Sequence, residues 1–254
     1  MNKPYVSITG FTTPQEVKAV EAPVMHGYDV FLAVLTRHET LAGLGATSRF
    51  PNRDMFERTL NAIECQPNVQ PAVHYCFSDR DIPHLEQDLG LILRHPIHAL
   101  QLNTVSTKAL REAVHIIARA AVQPYLIFQL NNPVMNRFKL NAGKAIQFFS
   151  ASVPVNDTAY ILLDLSAGHG RPMDYETAGA VKMVCGTFKN VRFAVAGGIK
   201  PNTVDEVIEV MGYGVSVDAE THLRDAANDV LNPQKVHQFL RSAAWAVEKV
   251  AKKG

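Results

Sequence analysis

The sequence predicts a closed eight-stranded parallel barrel, a (β/α)8 TIM barrel formed as a single domain over residues 1–254. Three observations carry that reading. Short apolar runs alternate with longer amphipathic ones along the chain. Several of the short runs are apolar on both faces, as in Tyr160-Ile-Leu-Leu-Asp164, which suits parallel strands covered on both sides. Eight such units give about 32 residues per unit, the spacing of a barrel whose usual size is about 250 residues. An open doubly wound sheet is the competing architecture. The count of eight and the lack of an early GxGxxG favour the barrel.

Strands are expected at 5–9, 28–35, 72–77, 98–102, 125–130, 159–164, 192–196 and 214–217. The first helix begins at Thr13-Pro14-Gln15-Glu16. Threonine caps, proline suits the first turn, and Glu16 completes a capping box. Further helices are expected at 55–63, 82–93, 107–121, 135–149, 174–188, 203–211 and 236–250. In the last, Val236, Phe239, Leu240, Ala243 and Ala244 form one apolar face. The longest irregular piece, residues 36–52, follows the second strand on the C-terminal face, where barrel loops act as lids. A plain surface loop is an equal reading.

Composition narrows the function. Lys plus Arg number 25 and Asp plus Glu 24, so no net field draws in nucleic acid or an anionic membrane. No apolar stretch of about 18 residues exists to span a bilayer. Residues 1–6 carry one lysine and no long apolar core, so no signal peptide is expected. Cys65, Cys76 and Cys185 are sparse and odd in number, which reads as reduced thiols in a cytoplasmic protein. No cysteine or histidine spacing suggests structural zinc. Neither a metal nor another cofactor is expected. A loose set of Asp164, His169, Asp218, Glu220 and His222 is the only grouping that suggests a metal, and its spacing supports one poorly.

In a barrel the strand ends face the active site. Asp164 is the leading catalytic candidate, because a carboxylate ending an apolar strand is placed for acid/base work; a helix-capping or loop-ordering role is the alternative. Gly197-Gly198 before Ile199-Lys-Pro-Asn-Thr203 reads as an anion-binding turn, with a simple tight turn as the alternative. Gly168, His169, Gly170 and Arg171 follow strand 6 and are positioned to close over the same ligand. His74 is either a proton shuttle or, the favoured reading, an inward strand residue with a satisfied hydrogen bond. Cys76 reads as a small buried hydrophobe rather than a nucleophile.

These pieces, in this order, resemble phosphoribosylanthranilate isomerases. Val6-Ser-Ile-Thr-Gly10-Phe-Thr-Thr-Pro14 resembles their opening strand and helix start. Leu100-Gln101-Leu102 is similar to their VQLHG strand, and Asp164 with Gly168 to Tyr175 is similar to their strand 6 and its loop. Ala196-Gly-Gly-Ile-Lys-Pro-Asn202 resembles their phosphate loop. The resemblance implies a phosphate-binding barrel that isomerises an aminoribose phosphate, with Asp164 as general acid and Gln101, Gly197 and Gly198 about the ligand. It places Arg49 where the family has a strand 2 loop arginine. It also exposes departures. Thr9 stands where the family has its catalytic cysteine, Asn103 where it has a histidine, and Asp218-Ala219-Glu220 where it has a Ser-Gly pair. A threonine hydroxyl takes no proton at neutral pH as a thiolate does.

The expectation is therefore a diverged enzyme acting by acid/base chemistry on a ribosyl or sugar-phosphate compound, a small and phosphorylated substrate. Asp164, Thr9 and His74 are its catalytic positions. Little turnover of phosphoribosylanthranilate is expected, with Thr9→Cys raising it. The alternatives are a barrel that binds a ribosyl ligand or a partner without turnover, and a lyase or hydrolase on the same scaffold. The sequence leaves the oligomeric state open.

Overall fold

A computed structural model describes residues 3–153, 158–164 and 173–252. Its eight strands close in sequence order, all parallel: β1 (Tyr5–Thr9), β2 (Asp29–Arg37), β3 (Gln70–Cys76), β4 (Ala99–Asn103), β5 (Tyr125–Asn131), β6 (Ala159–Asp164), β7 (Val191–Val195) and β8 (Ser216–Ala219), with β8 pairing back onto β1. Between and after them lie α1 (Pro14–Lys18), α2 (His38–Leu41), α3 (Arg53–Glu64), α4 (Leu85–Ile92), α5 (Thr107–Ile117), α6 (Asn132–Arg137), α7 (Ala142–Ser152), α8 (Tyr175–Cys185), α9 (Val204–Met211) and α10 (Pro233–Ala251). Short 3₁₀ turns occupy Asp79–His84 and Thr221–Leu223.

The capping signals work as the residues dictate. Thr13 Oγ1 accepts from the Glu16 N–H at 3.2 Å, and the Glu16 carboxylate accepts from the Thr13 N–H at 2.9 Å. Asn52, Ser106, Asn141 and Asn232 cap α3, α5, α7 and α10 by accepting first-turn N–H groups with their side-chain oxygens. Several expected elements differ: the irregular piece expected at 36–52 begins with the end of β2 and then α2, the helix expected at 107–121 ends at Ile117, and three more are changed as follows. The helix expected at 135–149 is two, α6 and α7, because Lys139 and Leu140 take left-handed φ values of 54° and 58° and Asn141 restarts the helix. The helix expected from residue 82 begins at Leu85, after a 3₁₀ turn that contains Pro83. The last strand begins at Ser216 rather than 214, since Gly214 has φ +91° and belongs to the preceding turn.

Period-two alternation sorts each strand into two faces. Val6, Ile8, Leu32, Val34, Val73, Leu100, Phe128, Ile161 and Val195 face outward and pack with the helices. The inward set divides along the barrel axis. At the N-terminal end Tyr5, Phe31, Tyr125 and Tyr160 form an aromatic plug, with the Tyr5 ring 5.2 Å from Phe31 and 5.1 Å from Tyr160. Above it sit Ala33, Ala72, Ala99, Ile127, Leu162 and Ala194. Toward the C-terminal end the buried inward residues become polar: Thr9, His74, Gln101, Gln129, Asp164 and Asp218. The lumen is thus closed below by hydrophobic packing and lined above by hydrogen-bonding groups.

Candidate active site

The polar end of the lumen holds a cavity of about 50 Å³. Asp164 from β6, His74 from β3, Gln101 from β4 and the Gly197–Gly198 turn after β7 all line it. So do Gln129, Asp218, Glu220 and His222. Strand alternation sends each third-layer side chain to the same opening, so residues far apart in sequence meet there. Gly168, His169, Gly170 and Arg171 lie outside the described residues.

Two hydrogen-bonded pairs organise the carboxylates. Gln129 Nε2 donates to Asp164 Oδ2 at 2.9 Å. Thr9 Oγ1 donates to Asp218 Oδ1 at 2.9 Å, and Ser7 also hydrogen-bonds the Asp218 carboxyl. Burial is the main cause that pushes Asp218 up to about 7. The Thr9 and Ser7 hydrogen bonds oppose that rise, and the negative charges of Glu220 and Asp164 add to it. A carboxyl titrating near neutrality therefore stands beside the position where the resembling family has a thiol.

The other candidate bases are poorer. Burial lowers His74 to about 4, so its imidazole is neutral at physiological pH. Its Nε2 lies 3.4 Å from Gln101 Nε2, and its Nδ1 has no hydrogen-bond partner. Burial raises the Cys76 thiol to about 12, and Asn103 Nδ2 donates weakly to its sulfur at 3.7 Å. The reading of Cys76 as no nucleophile fits this environment.

No lysine or arginine is among the described residues lining the cavity. Two described guanidinium groups approach Glu220, which lines the cavity. Arg224 Nη2 lies 3.1 Å from Glu220 Oε1, and Arg49 Nη1 lies 3.4 Å from the same oxygen. Arg49 is further held by Asp229, donating from Nε at 2.8 Å and Nη2 at 2.9 Å. This fork ties the loop after β2 to the loop after β8 across the mouth. Arg224 is buried and donates to the Gly10 carbonyl at 2.8 Å. That crossing explains Gly10. A Cβ there would stand 2.1 Å from Arg224 Nη2, and its φ of +103° already favours glycine.

Gly197 and Gly198 have φ of 87° and 68°, so the turn requires glycine and keeps its backbone close to the cavity. Helix α9 starts later than Asn202. The Thr203 Oγ1 accepts from the Lys200 N–H at 3.0 Å, and the first turn opens at Val204. Among the described residues no cluster of histidine, cysteine and carboxylate side chains is arranged to hold a metal ion. No described helix is long and apolar enough to cross a membrane.

Sequence reading located Asp164, His74, Gln101 and the glycine turn, and the structure brings them together. It did not identify the Thr9–Asp218 pair. The signal was present in Ser216-Val-Asp218-Ala-Glu220, whose alternate residues face one side of a strand. Placing the strand two residues too early left Asp218 in a loop. Arg224 carried no signal at all, because its partners come from both ends of the chain.

No protein-family model and no curated protein sequence matches the chain. Solved structures do match in fold. N-(5'-phosphoribosyl)anthranilate isomerase from Pyrococcus furiosus superposes with a TM-score of 0.60 at 16% identity, covering 94% of this chain and 98% of that one. A phosphoribosyl anthranilate isomerase in complex with reduced 1-(o-carboxyphenylamino)-1-deoxyribulose 5-phosphate gives 0.59 at 15% identity, with the same coverage. Tryptophan synthase subunit alpha from Legionella pneumophila str. Paris gives 0.59 at 12% identity, covering 98% of this chain and 94% of that one. At these identities the likeness establishes the barrel fold.

Proposed function

We propose that this barrel is an enzyme that binds a small sugar-phosphate or ribosyl phosphate and acts on it by acid/base chemistry, diverged from the phosphoribosylanthranilate isomerase type. The observation that carries the proposal is the convergence of Asp164, Gln101, His74 and the Gly197–Gly198 turn on one cavity at the C-terminal end of the strands. The Asp164 carboxyl exchanges protons with the substrate. Gln129 orients it by donating to Oδ2 at 2.9 Å. Gln101 and His74 suit sugar hydroxyls, each offering side-chain hydrogen-bonding atoms at the cavity wall.

The phosphate grip comes from backbone N–H groups of the glycine turn, since the described wall supplies no cation. Arg49 joins in by exchanging one oxyanion for another, leaving Asp229 for the phosphate. Phosphoribosylanthranilate itself is a poor substrate, because Thr9 gives the site no thiol base.

The test is a thermal-shift screen of the intact protein with ribose 5-phosphate, ribulose 5-phosphate and inorganic phosphate, followed by turnover assays. Stabilisation by the sugar phosphates, with turnover lost in Asp164→Asn, supports the reading. Stabilisation without turnover favours a binding barrel instead, and no stabilisation by any phosphate removes the reading.

A further inference from the structure

We propose that Asp218, aimed by Thr9 and Ser7, is a second catalytic carboxyl of this site and acts as its base, with Thr9 as a positioning residue. The inference rests on the sugar-phosphate reading and deepens it by assigning the proton acceptor which that chemistry needs.

The geometry carries it. Asp218 and Asp164 sit on β8 and β6, separated only by β7, whose inward residues there are Ala194 and Ala196. Small side chains on the strand between them leave a gap faced by both carboxyls, and both line the same cavity as the glycine turn. Thr9 donates to Oδ1 of Asp218 and Ser7 hydrogen-bonds the same carboxyl, which fixes its plane at the cavity wall. Thr9 thus does not replace the missing thiol by its own chemistry; it orients a carboxyl that does. The titratable groups facing Asp218 are Tyr5 from β1, Asp164 from β6, Glu220 just past the end of β8, His74 from β3 and His222 from the turn beyond β8. Burial favours a proton on Asp218, the negative charges of Glu220 and Asp164 add to it, and the neutral His74 brings no opposing charge. A base that ionises near neutrality combines availability with proton-accepting strength.

The proton balance is that of enolisation. The ionised Asp218 takes the proton from a carbon next to a carbonyl. The C–H electron pair forms a C=C bond, and the carbonyl π pair moves onto its oxygen. That oxygen receives a proton from water, relayed through the Asp164 carboxylate. Asp218 returns its proton to a carbon of the product or to solvent.

The experiment is proton–deuterium exchange. The intact protein is incubated with ribulose 5-phosphate in D2O, and loss of the C1 and C3 proton signals is followed by NMR between pH 5 and 9. Binding of the same compound is measured by thermal shift. Exchange in the native protein should rise with pH through a midpoint near 7. It should fall by about 100- to 10,000-fold in Asp218→Asn, while ribulose 5-phosphate still stabilises that variant. Thr9→Val should slow exchange and move its midpoint upward, because a donor to the ionised form is gone; Thr9→Ser should restore both. Binding without exchange in the native protein, or unchanged exchange in Asp218→Asn, overturns the role of Asp218 and leaves the sugar-phosphate reading standing. Absence of binding overturns both.

Discussion

Thr9 and Asp218 show how one substitution changes what its neighbour is for. From sequence alone, Thr9→Cys restores a thiol base. In the structure the hydroxyl at position 9 is buried and 2.9 Å from a carboxyl oxygen, so a thiol placed there meets desolvation and a negative neighbour together. Both push a thiol up, as burial already does to Cys76. Thr9→Cys is therefore expected to leave phosphoribosylanthranilate turnover at background, and a coupled fluorescence assay decides it; a gain of tenfold or more would show that position 9 can still house a base. Asp218 also links the site to stability. Its folded-state carboxyl titrates near 7, above the usual 3.8, so the folded protein binds more protons than the unfolded chain between those values. Stability is then lost as pH rises through 7. Asp218→Asn, whose side-chain oxygen still accepts from Thr9, should be more stable than the native protein at pH 8 by about 1–3 kcal/mol and differ little at pH 4. Urea unfolding at the two pH values reads this directly, and an equal difference at both would remove the titration as its cause. His74 tilts the curve the other way: with its imidazole held near 4, the unfolded chain binds the extra proton, and stability falls as pH drops below about 6.5.

The elements that were legible in the sequence were those with a strong local signal. β1 and β6 were bounded correctly because apolar runs end there on Thr9-Gly10 and on Asp164. The Thr13–Glu16 capping box announced α1. Breaks that arise from backbone conformation were hidden, since Lys139 and Leu140 are ordinary helix formers that the turn forces left-handed. The site was legible where it followed from strand ends and opaque where it followed from contacts between distant loops. Arg224 is the clearest case. It links Glu220, the Asp229 carbonyl and the Gly10 carbonyl, and only the fold brings these together. Gly10→Ala tests that link. Its Cβ would overlap the Arg224 guanidinium in a backbone region hostile to alanine, so a loss of about 2–4 kcal/mol in unfolding free energy is expected. A loss under about 0.5 kcal/mol would mean that the arginine moves aside at little cost.

Across the whole molecule, the barrel separates stability from chemistry along its axis. The aromatic plug of Tyr5, Phe31, Tyr125 and Tyr160 closes the N-terminal end, and the carboxyls and amides occupy the other. Phe31→Ala should cost about 3–5 kcal/mol of stability, read by denaturant unfolding, yet leave ribulose 5-phosphate affinity within about twofold at temperatures where it stays folded. A large affinity loss would show that the plug shapes the mouth as well. The central claim is that one cavity at the C-terminal end holds a sugar phosphate between Asp164, Asp218 and the glycine turn. A crystal structure of the protein with ribulose 5-phosphate tests it most directly. The account predicts phosphate oxygens against the Gly197–Gly198 backbone and the sugar carbonyl carbons between the two carboxyls. Ribulose 5-phosphate bound elsewhere, with Asp218 still turned onto Thr9 and away from it, would contradict the account.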